Sequence, residues 1–353
     1  MKSAFTVLLL AIGAGVVLAA SEPEIELDPI PQPLTNNAVA GYNGHGGLTL
    51  LSFMGISSGK DWKAVTNAAY SMVAADGKWQ TLKPVPGTAG RLGAVAVPAA
   101  NQIFLFGGYV IDAQGNERTV ASANMYNPAT QKWFSVADIP EPVSAAIGGE
   151  YRDKYIYLIG GWAKGAPTNA VQVYDIEKAT WLKATPTPGA PVFGHAGAVV
   201  NDTIVYVDGA LNNPAGTPAF SASDECWMGK IDHKDPAKIE WTKLPAHPGN
   251  AHYRIAAGGS EKDDKIYFAG GASAPYDSTG LGFDGQPAQP SPMVFAFDLK
   301  SKKWEIIHEK VAIPTMDQRG LIVAPHYLVL LGGMAGNRAV TAHVTLIPKQ
   351  KDR

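Results

Sequence analysis

Apolar residues in this chain fall in short runs of 4–7, bounded by Gly, Pro and charged residues. That length and punctuation predict β-strands rather than helices. The segment from Trp133 to Gly161 shows the pattern. WFSV is followed by the Pro-rich turn IPEP, then by AAIGG and YIYLIGG, which the charged turn YRDK separates. A variable loop comes next, then Val173-Tyr174-Asp175 and a turn to Trp181. The same turn recurs as YNPATQKW at 126–133, YDIEKATW at 174–181 and FDLKSKKW at 297–304, each with an aromatic seven residues before Trp. Asn or Asp directly after the aromatic can bond its own backbone and start the turn. The predicted unit is four antiparallel strands with no room for a helix. Nearly continuous apolar runs such as IFLFGG and IVYVDG predict strands covered on both faces, as in sheets stacked on one another.

The unit repeats. From Trp79, Trp133, Trp181, Trp241 and Trp304 the distance to the second residue of the next Gly-Gly or Asp-Gly pair is 29, 28, 28, 30 and 29 residues. Repetition at such a period means one supersecondary unit whose copies bury their faces against neighbours. At the N-terminal side, LTLLSFMG at 48–55 supplies an inner strand pair. At the C-terminal side, YLVLLGG at 327–333 and AHVTLI at 342–347 have no Trp strand after them. Residues 24–33 (EIELDPIPQP) lie in the register of the missing strand, with Leu27 and Pro31 matching Val136 and Pro140. Six units follow, the last completed by the N-terminal strand. The Gly-Gly, aromatic and Trp spacing resembles the kelch-repeat family. The resemblance covers nearly all of the chain after residue 20 and implies an all-β, six-bladed kelch-type β-propeller closed by the N-terminal strand.

Length alone, at 353 residues, would allow two or three domains. The repeat overrides that prior and makes residues 21–353 a single propeller. Residues 1–20 differ in kind. Lys2 is followed by apolar and small residues from Phe5 to Leu18, and Ala19 and Ala20 precede Ser21. This pattern is that of a secretory signal peptide. The expectation is therefore a periplasmic or secreted protein with no membrane span after cleavage. The net charge of −2 and the lack of a basic tract argue against nucleic-acid binding. Cys226 is the single cysteine, so no internal disulfide can form.

In such a ring, the start of each inner strand and the loop after each glycine pair share one face around the channel, where function is expected. Arg91, His195, Arg254 and Arg319 fall near the strand starts, with His252, Tyr253 and Asp317 beside them. Ile56, Tyr109, Trp162, Ala210, Ala272 and Met334 follow the glycine pairs. Arg91, Arg254 and Arg319 are expected to converge with Tyr109 and Trp162 and to clamp an anionic ligand, since guanidinium holds carboxylate through paired hydrogen bonds. Three cations without acidic neighbours would repel one another, and an anion would relieve this. In the hairpin VVNDTIV at 199–205, with Asn201-Asp202 at its tip, partners sum to 403. That sets His195 opposite Asp208, a candidate general-base pair. Loops 210–224 and 272–292 are long enough to form walls or lids, with Phe220, Tyr276 and Phe283 as anchors.

GGYVIDAQGNERTVASANMYNPATQKW at 107–133 and GGMAGNRAVTAHV at 332–344 are similar to the N-acetylneuraminate epimerase (sialic acid mutarotase) group. The resemblance implies interconversion of sugar anomers, with the arginines as an anion clamp. The chain departs from it in lacking a Glu at every post-glycine position. Copper-radical oxidation of the galactose oxidase kind is disfavoured, because Cys226 in DECWMGKID reads as a buried thiol on a third strand. The expected function is an exported propeller binding a small, anionic carbohydrate, a divergent mutarotase or epimerase, without metal or cofactor. The alternative is a non-catalytic propeller that binds a glycan or a protein.

Overall fold

The computed structural model describes residues 27–44, 46–87 and 90–349. The leader at 1–20 and residues 24–26 of the closing strand lie outside them. Five four-stranded antiparallel sheets and one three-stranded sheet form six blades. Blade 1 contains Ala38–Gly44, Gly47–Ile56, Val65–Val73 and Trp79–Thr81. The inner strands of blades 2 to 6 are Val95–Ala99, Ile147–Tyr151, Ala196–Val200, Ala256–Ser260 and Ile322–Val323. Each is followed by a second strand ending at the glycine pair, and then by a third. Blades 2 to 5 add an outer strand carrying Trp133, Trp181, Trp241 or Trp304. The one helical element among the described residues is a 3-10 turn, Trp62–Ala64.

The six inner strands line a central channel of about 370 Å³. They converge, so small residues line it. A Cβ at Gly148 would strike Val95 and Val97 of the preceding blade, and one at Gly258 would strike the Leu321 carbonyl. The core lies between blades, not within one. One cluster joins Phe104 and Phe106 of blade 2 to Ile156, Leu158 and Tyr174 of blade 3. Each second strand is buried on both faces, as its unbroken apolar run requires.

Indole nitrogens stitch the rim. Trp133 Nε1 donates to Lys83 O (2.9 Å), Trp181 Nε1 to Ala137 O (3.0 Å) and Trp304 Nε1 to Pro245 O (2.8 Å), each at the outer edge of the preceding blade. Trp79 Nε1 donates to Asp28 O (2.8 Å) in the same manner, so Asp28 occupies the position of Ala137. Ile30 N donates to Ala342 O just as Ile139 N donates to Ala121 O. The N-terminal segment therefore closes blade 6 in the register expected from Leu27 and Pro31. Trp241 is the exception. Its Nε1 is buried without a partner. The longer turn of blade 4 bonds Thr185 instead, through Thr185 N to Ala237 O and Ile239 N to Thr185 Oγ1.

Candidate ligand site at the loop end of the channel

The six post-glycine residues predicted from the repeat take equivalent places. Ile56, Tyr109, Trp162, Ala210, Ala272 and Met334 bridge to Thr35, Leu92, Ser144, Phe193, Tyr253 and Met316. The residue after each bridge partner adopts a left-handed backbone: Asn36 (φ 56°), Gly93 (62°), Ala145 (52°), Gly194 (62°), Arg254 (53°) and Asp317 (66°). These residues form a ring of hydrogen bonds around the channel. Ala145 N donates to Gly93 O, Gly194 N to Ala145 O, Arg254 N to Gly194 O and Asn36 N to Asp317 O. Gly93 N closes onto the Asn36 side chain (2.6 Å). Side chains span the step from Arg254 to Asp317, with Arg254 Nη1 2.9 Å from Asp317 Oδ1. Non-glycine residues held at positive φ cost of order 1 kcal/mol each and concentrate at functional sites.

The ring explains which expected residues meet. Arg254 stands on it. Arg319 lies two residues beyond the ring member Asp317, and its side chain reaches back to Asn36 Oδ1 (2.9 Å). Arg91 lies two residues before Gly93, where the chain is still between blades. Its guanidinium donates to Ser122 O (2.6 Å) and Asn124 Oδ1 (2.9 Å), and burial draws its pKa down to about 10. The convergence of three arginines is thus corrected to two. Trp162 packs on the edge of the apolar cluster that holds Tyr253 and Tyr276, edge-on against Phe193 and Phe220 at 4.9 and 6.0 Å. The expected lack of acidic neighbours is corrected as well. Asp317, fully buried, accepts from Arg254, Asn36 Nδ2 and Thr35 Oγ1.

Around this network stand Tyr109, Tyr253 and Tyr276. The Arg254 guanidinium lies over Tyr253 (4.9 Å) and Tyr276 (5.2 Å). Burial raises the pKa of Tyr109 and Tyr276, while Arg254 and Arg319 act on both phenols in the opposite sense. Burial also lowers the pKa of Arg319, and the charge of Arg254 lowers it further. Four polar atoms here are buried without a hydrogen-bond partner: Arg254 Nε, Arg319 Nη2, Tyr109 Oη and Tyr276 Oη. Loop 272–292 covers the site. Tyr276 is fully buried in an apolar cluster with Phe193, Tyr253, Met316 and Met334, and Lys60 of blade 1 holds the loop by donating to Thr279 O (3.2 Å). The cluster lies buried beneath this loop and is not an open mouth.

His195 and Asp208 hold the predicted register, since Ala196 pairs with Val207 and Phe193 bridges Ala210. Their side chains do not meet, and the dyad is corrected on that point. Gly194 and Asp208 are both left-handed (φ 62° and 64°), which turns the two side chains away from each other. His195 Nε2 lies 3.1 Å from Ile159 O of the preceding blade, while its Nδ1 is buried and unpartnered. Asp208 points toward blade 5, where its carboxylate accepts from His252 N (2.8 Å) and lies 2.9 Å from His247 Nε2. Nearby Cys226 sits in a third strand as expected, and burial pushes its thiol up to about 12.

Burial draws the His195 pKa down to about 4, against the Ile159 hydrogen bond. An unfolded His titrates near 6.5. Between these values the unfolded chain binds the additional proton, so stability is unaffected above pH 6.5 and falls as pH drops toward 4. At about 1.4 kcal/mol per pH unit the loss is roughly 3 kcal/mol. Urea midpoints of His195→Gln should be flatter than wild type over that window. Parallel curves would show that His195 is not the responsible group.

His247 escapes a reading confined to strand starts and glycine pairs. A different signal marks it. The residue before the outer-strand proline is Ile30, Val85, Ile139 and Thr187 in four other blades, and His247 in blade 4.

Fold and site together define a six-bladed propeller of kelch repeats. Residues 44–271 match the KLHDC2/KLHL20/DRC7 Kelch-repeats domain, and the chain belongs to the kelch-repeat family. It is 28% identical over 235 residues to Kelch-like protein terF of Aspergillus terreus, covering 62% of this chain and 46% of that protein. It is 23% identical over 243 residues to Kelch-like protein 15 of Danio rerio, covering 67% and 38%. Over 162 residues it is 30% identical to Beta-scruin of Limulus polyphemus, covering 43% and 17%. The chain thus spans less than half the length of these relatives. Among solved structures, that of YjhT superposes with a TM-score of 0.73 at 17% identity, covering 92% of this chain and 97% of that one. The likeness is one of fold.

Proposed function

We propose that this propeller binds a small anionic ligand, a carboxylate-bearing sugar, at the roofed end of its channel. One observation carries the reading. Two guanidinium and two phenol groups present buried, unpartnered polar atoms to one place. Arg254 and Arg319 share one hydrogen-bonded carboxylate, Asp317, with Glu117 acting on Arg254 only through its charge. A carboxylate would supply the counter-charge, and the phenols would donate to sugar oxygens. Leaving such atoms unpaired costs about 1–3 kcal/mol each, which a ligand would offset. Arg319 also lines the central channel, which gives a route from the channel toward the cluster. His195 has no carboxylate partner to orient it as a general base, which favours binding over anomer exchange. Export, motivated by residues 1–20, belongs to the same proposal. N-terminal sequencing of protein from its host, starting at Ala20 or Ser21, would support it.

The ligand test is a thermal-shift panel of acidic and neutral sugars and simple carboxylates. A ligand at 100 times its dissociation constant should add about 2.7 kcal/mol. Arg319→Met separates function from stability. Asn36 Oδ1 keeps its bond from Gly93 N, and a costly buried charge disappears. The variant should match or exceed wild-type stability without ligand and lose the shift from every anionic hit. Unchanged binding in Arg319→Met and Tyr276→Phe would sink the proposal, as would a panel in which only neutral sugars bind. Proton NMR on any hit distinguishes a binder from a mutarotase.

A further inference from the structure

We propose that Asp208, His247 and His252 form a binding site for a divalent transition-metal ion of the Zn2+ kind, between blades 4 and 5. Three departures from the repeat meet there. Asp208 stands at φ 64° where blades 2, 3, 5 and 6 have Gly107, Gly160, Gly270 and Gly332. At three of those glycines an added Cβ would strike a carbonyl of the next blade, from Val143, Thr315 or Leu34. His252 occupies the place of those three residues. His247 takes the slot of Ile30, Val85, Ile139 and Thr187. Each exchange alone puts a polar group into an apolar seam. Together they bring one carboxylate and two imidazoles into one gap.

The geometry suits a shared ion. One ligand atom from each residue lies within 4.8 Å of the others, and all three side chains are buried. The carboxylate is 2.9 Å from His247 Nε2 and 3.5 Å from His252 Nδ1. Two ligands at about 2.0–2.1 Å on a tetrahedral ion are about 3.4 Å apart. His252 Nδ1 is buried without a hydrogen-bond partner. His247 Nδ1 lies 2.7 Å from Pro248 O, the outer contact that fixes a ligating imidazole and leaves Nε2 free for the metal. Its ring is stacked on Phe295 at 4.4 Å and abuts Trp304. His252 N anchors the carboxylate (2.8 Å). Two imidazoles with one carboxylate select a borderline ion over Mg2+ or Ca2+. The competing occupant is a proton, which would make the site a buried His247–Asp208 ion pair.

Full-length protein is stripped with chelator and titrated with ZnCl2 by calorimetry and thermal shift, with CoCl2 as a spectroscopic probe and MgCl2 as control. The expected result is one Zn2+ per chain, a raised melting temperature and a Co2+ visible spectrum of nitrogen and oxygen ligands. Asp208→Gly installs the residue other blades carry at this backbone conformation, so the fold is retained while the ligand is lost. It and His252→Gln should each weaken Zn2+ binding by at least about tenfold. Replacing exposed His233 by Ala should not. The proposal is overturned if stripped protein binds neither Zn2+ nor Co2+ saturably, or if both Asp208→Gly and His252→Gln bind as wild type does.

Discussion

Asp317→Ala should cost the protein about 3–5 kcal/mol, the loss typical of breaking a buried ion pair from one side. The carboxylate is fully buried and answers three donors: Arg254 Nη1 at 2.9 Å, Asn36 Nδ2 at 3.1 Å and Thr35 Oγ1 at 3.0 Å. Without it, Arg254 and Arg319 face each other under the roof of loop 272–292 with no bonded carboxylate, and Arg319 already has its pKa lowered by burial and by Arg254. Asp317→Asn keeps an acceptor for Arg254 and should lose less. An anionic ligand should stabilise Asp317→Ala more than it stabilises wild type, because it replaces the missing charge. Urea denaturation with and without the ligand provides the check. A wild-type midpoint in Asp317→Ala would mean that Arg254 is held by its aromatic neighbours alone.

Deleting residues 21–34 should bring the whole ring close to unfolding. The segment buries Ile30 and Leu34 almost completely, in a cluster with Val39, Tyr70 and Leu331. Each such side chain contributes about 1.5–3 kcal/mol. The backbone bonds of Ile30 to Ala342 and Leu34 to Thr341 go with it, as does the acceptor of Trp79. A domain has about 5–15 kcal/mol in all. The loss also leaves Val344–Pro348 as an unpaired edge, open to association. Guanidinium melts should show a truncated chain that is unfolded or aggregated, with Leu34→Ala alone losing about 2–5 kcal/mol. A truncated monomer with the wild-type midpoint would show that closure contributes nothing to the ring.

The sequence by itself determined the repeat, the four-stranded unit that five of the six blades form, the glycine pairs and the register of the N-terminal segment. These follow from local chemistry: short apolar runs, glycine at positive φ, and Trp and Pro at fixed offsets. It also placed Tyr109, Arg254 and Arg319 at one end of the channel, because position within a repeat maps onto position around a ring. What it left open was direction. Arg91 and Arg319 lie on opposite sides of the left-handed ring residue, and that separates an arginine paired between blades from one aimed into the channel. His195 and Asp208 share a register yet face apart, since a single residue at positive φ turns a side chain out of the alternation expected of a strand. His247, far from Asp208 in sequence, reaches it because the outer edge of blade 4 leads into the seam with blade 5. Contacts between blades join positions dozens of residues apart. They depend on how sheets pack around the axis, which only the tertiary structure decides.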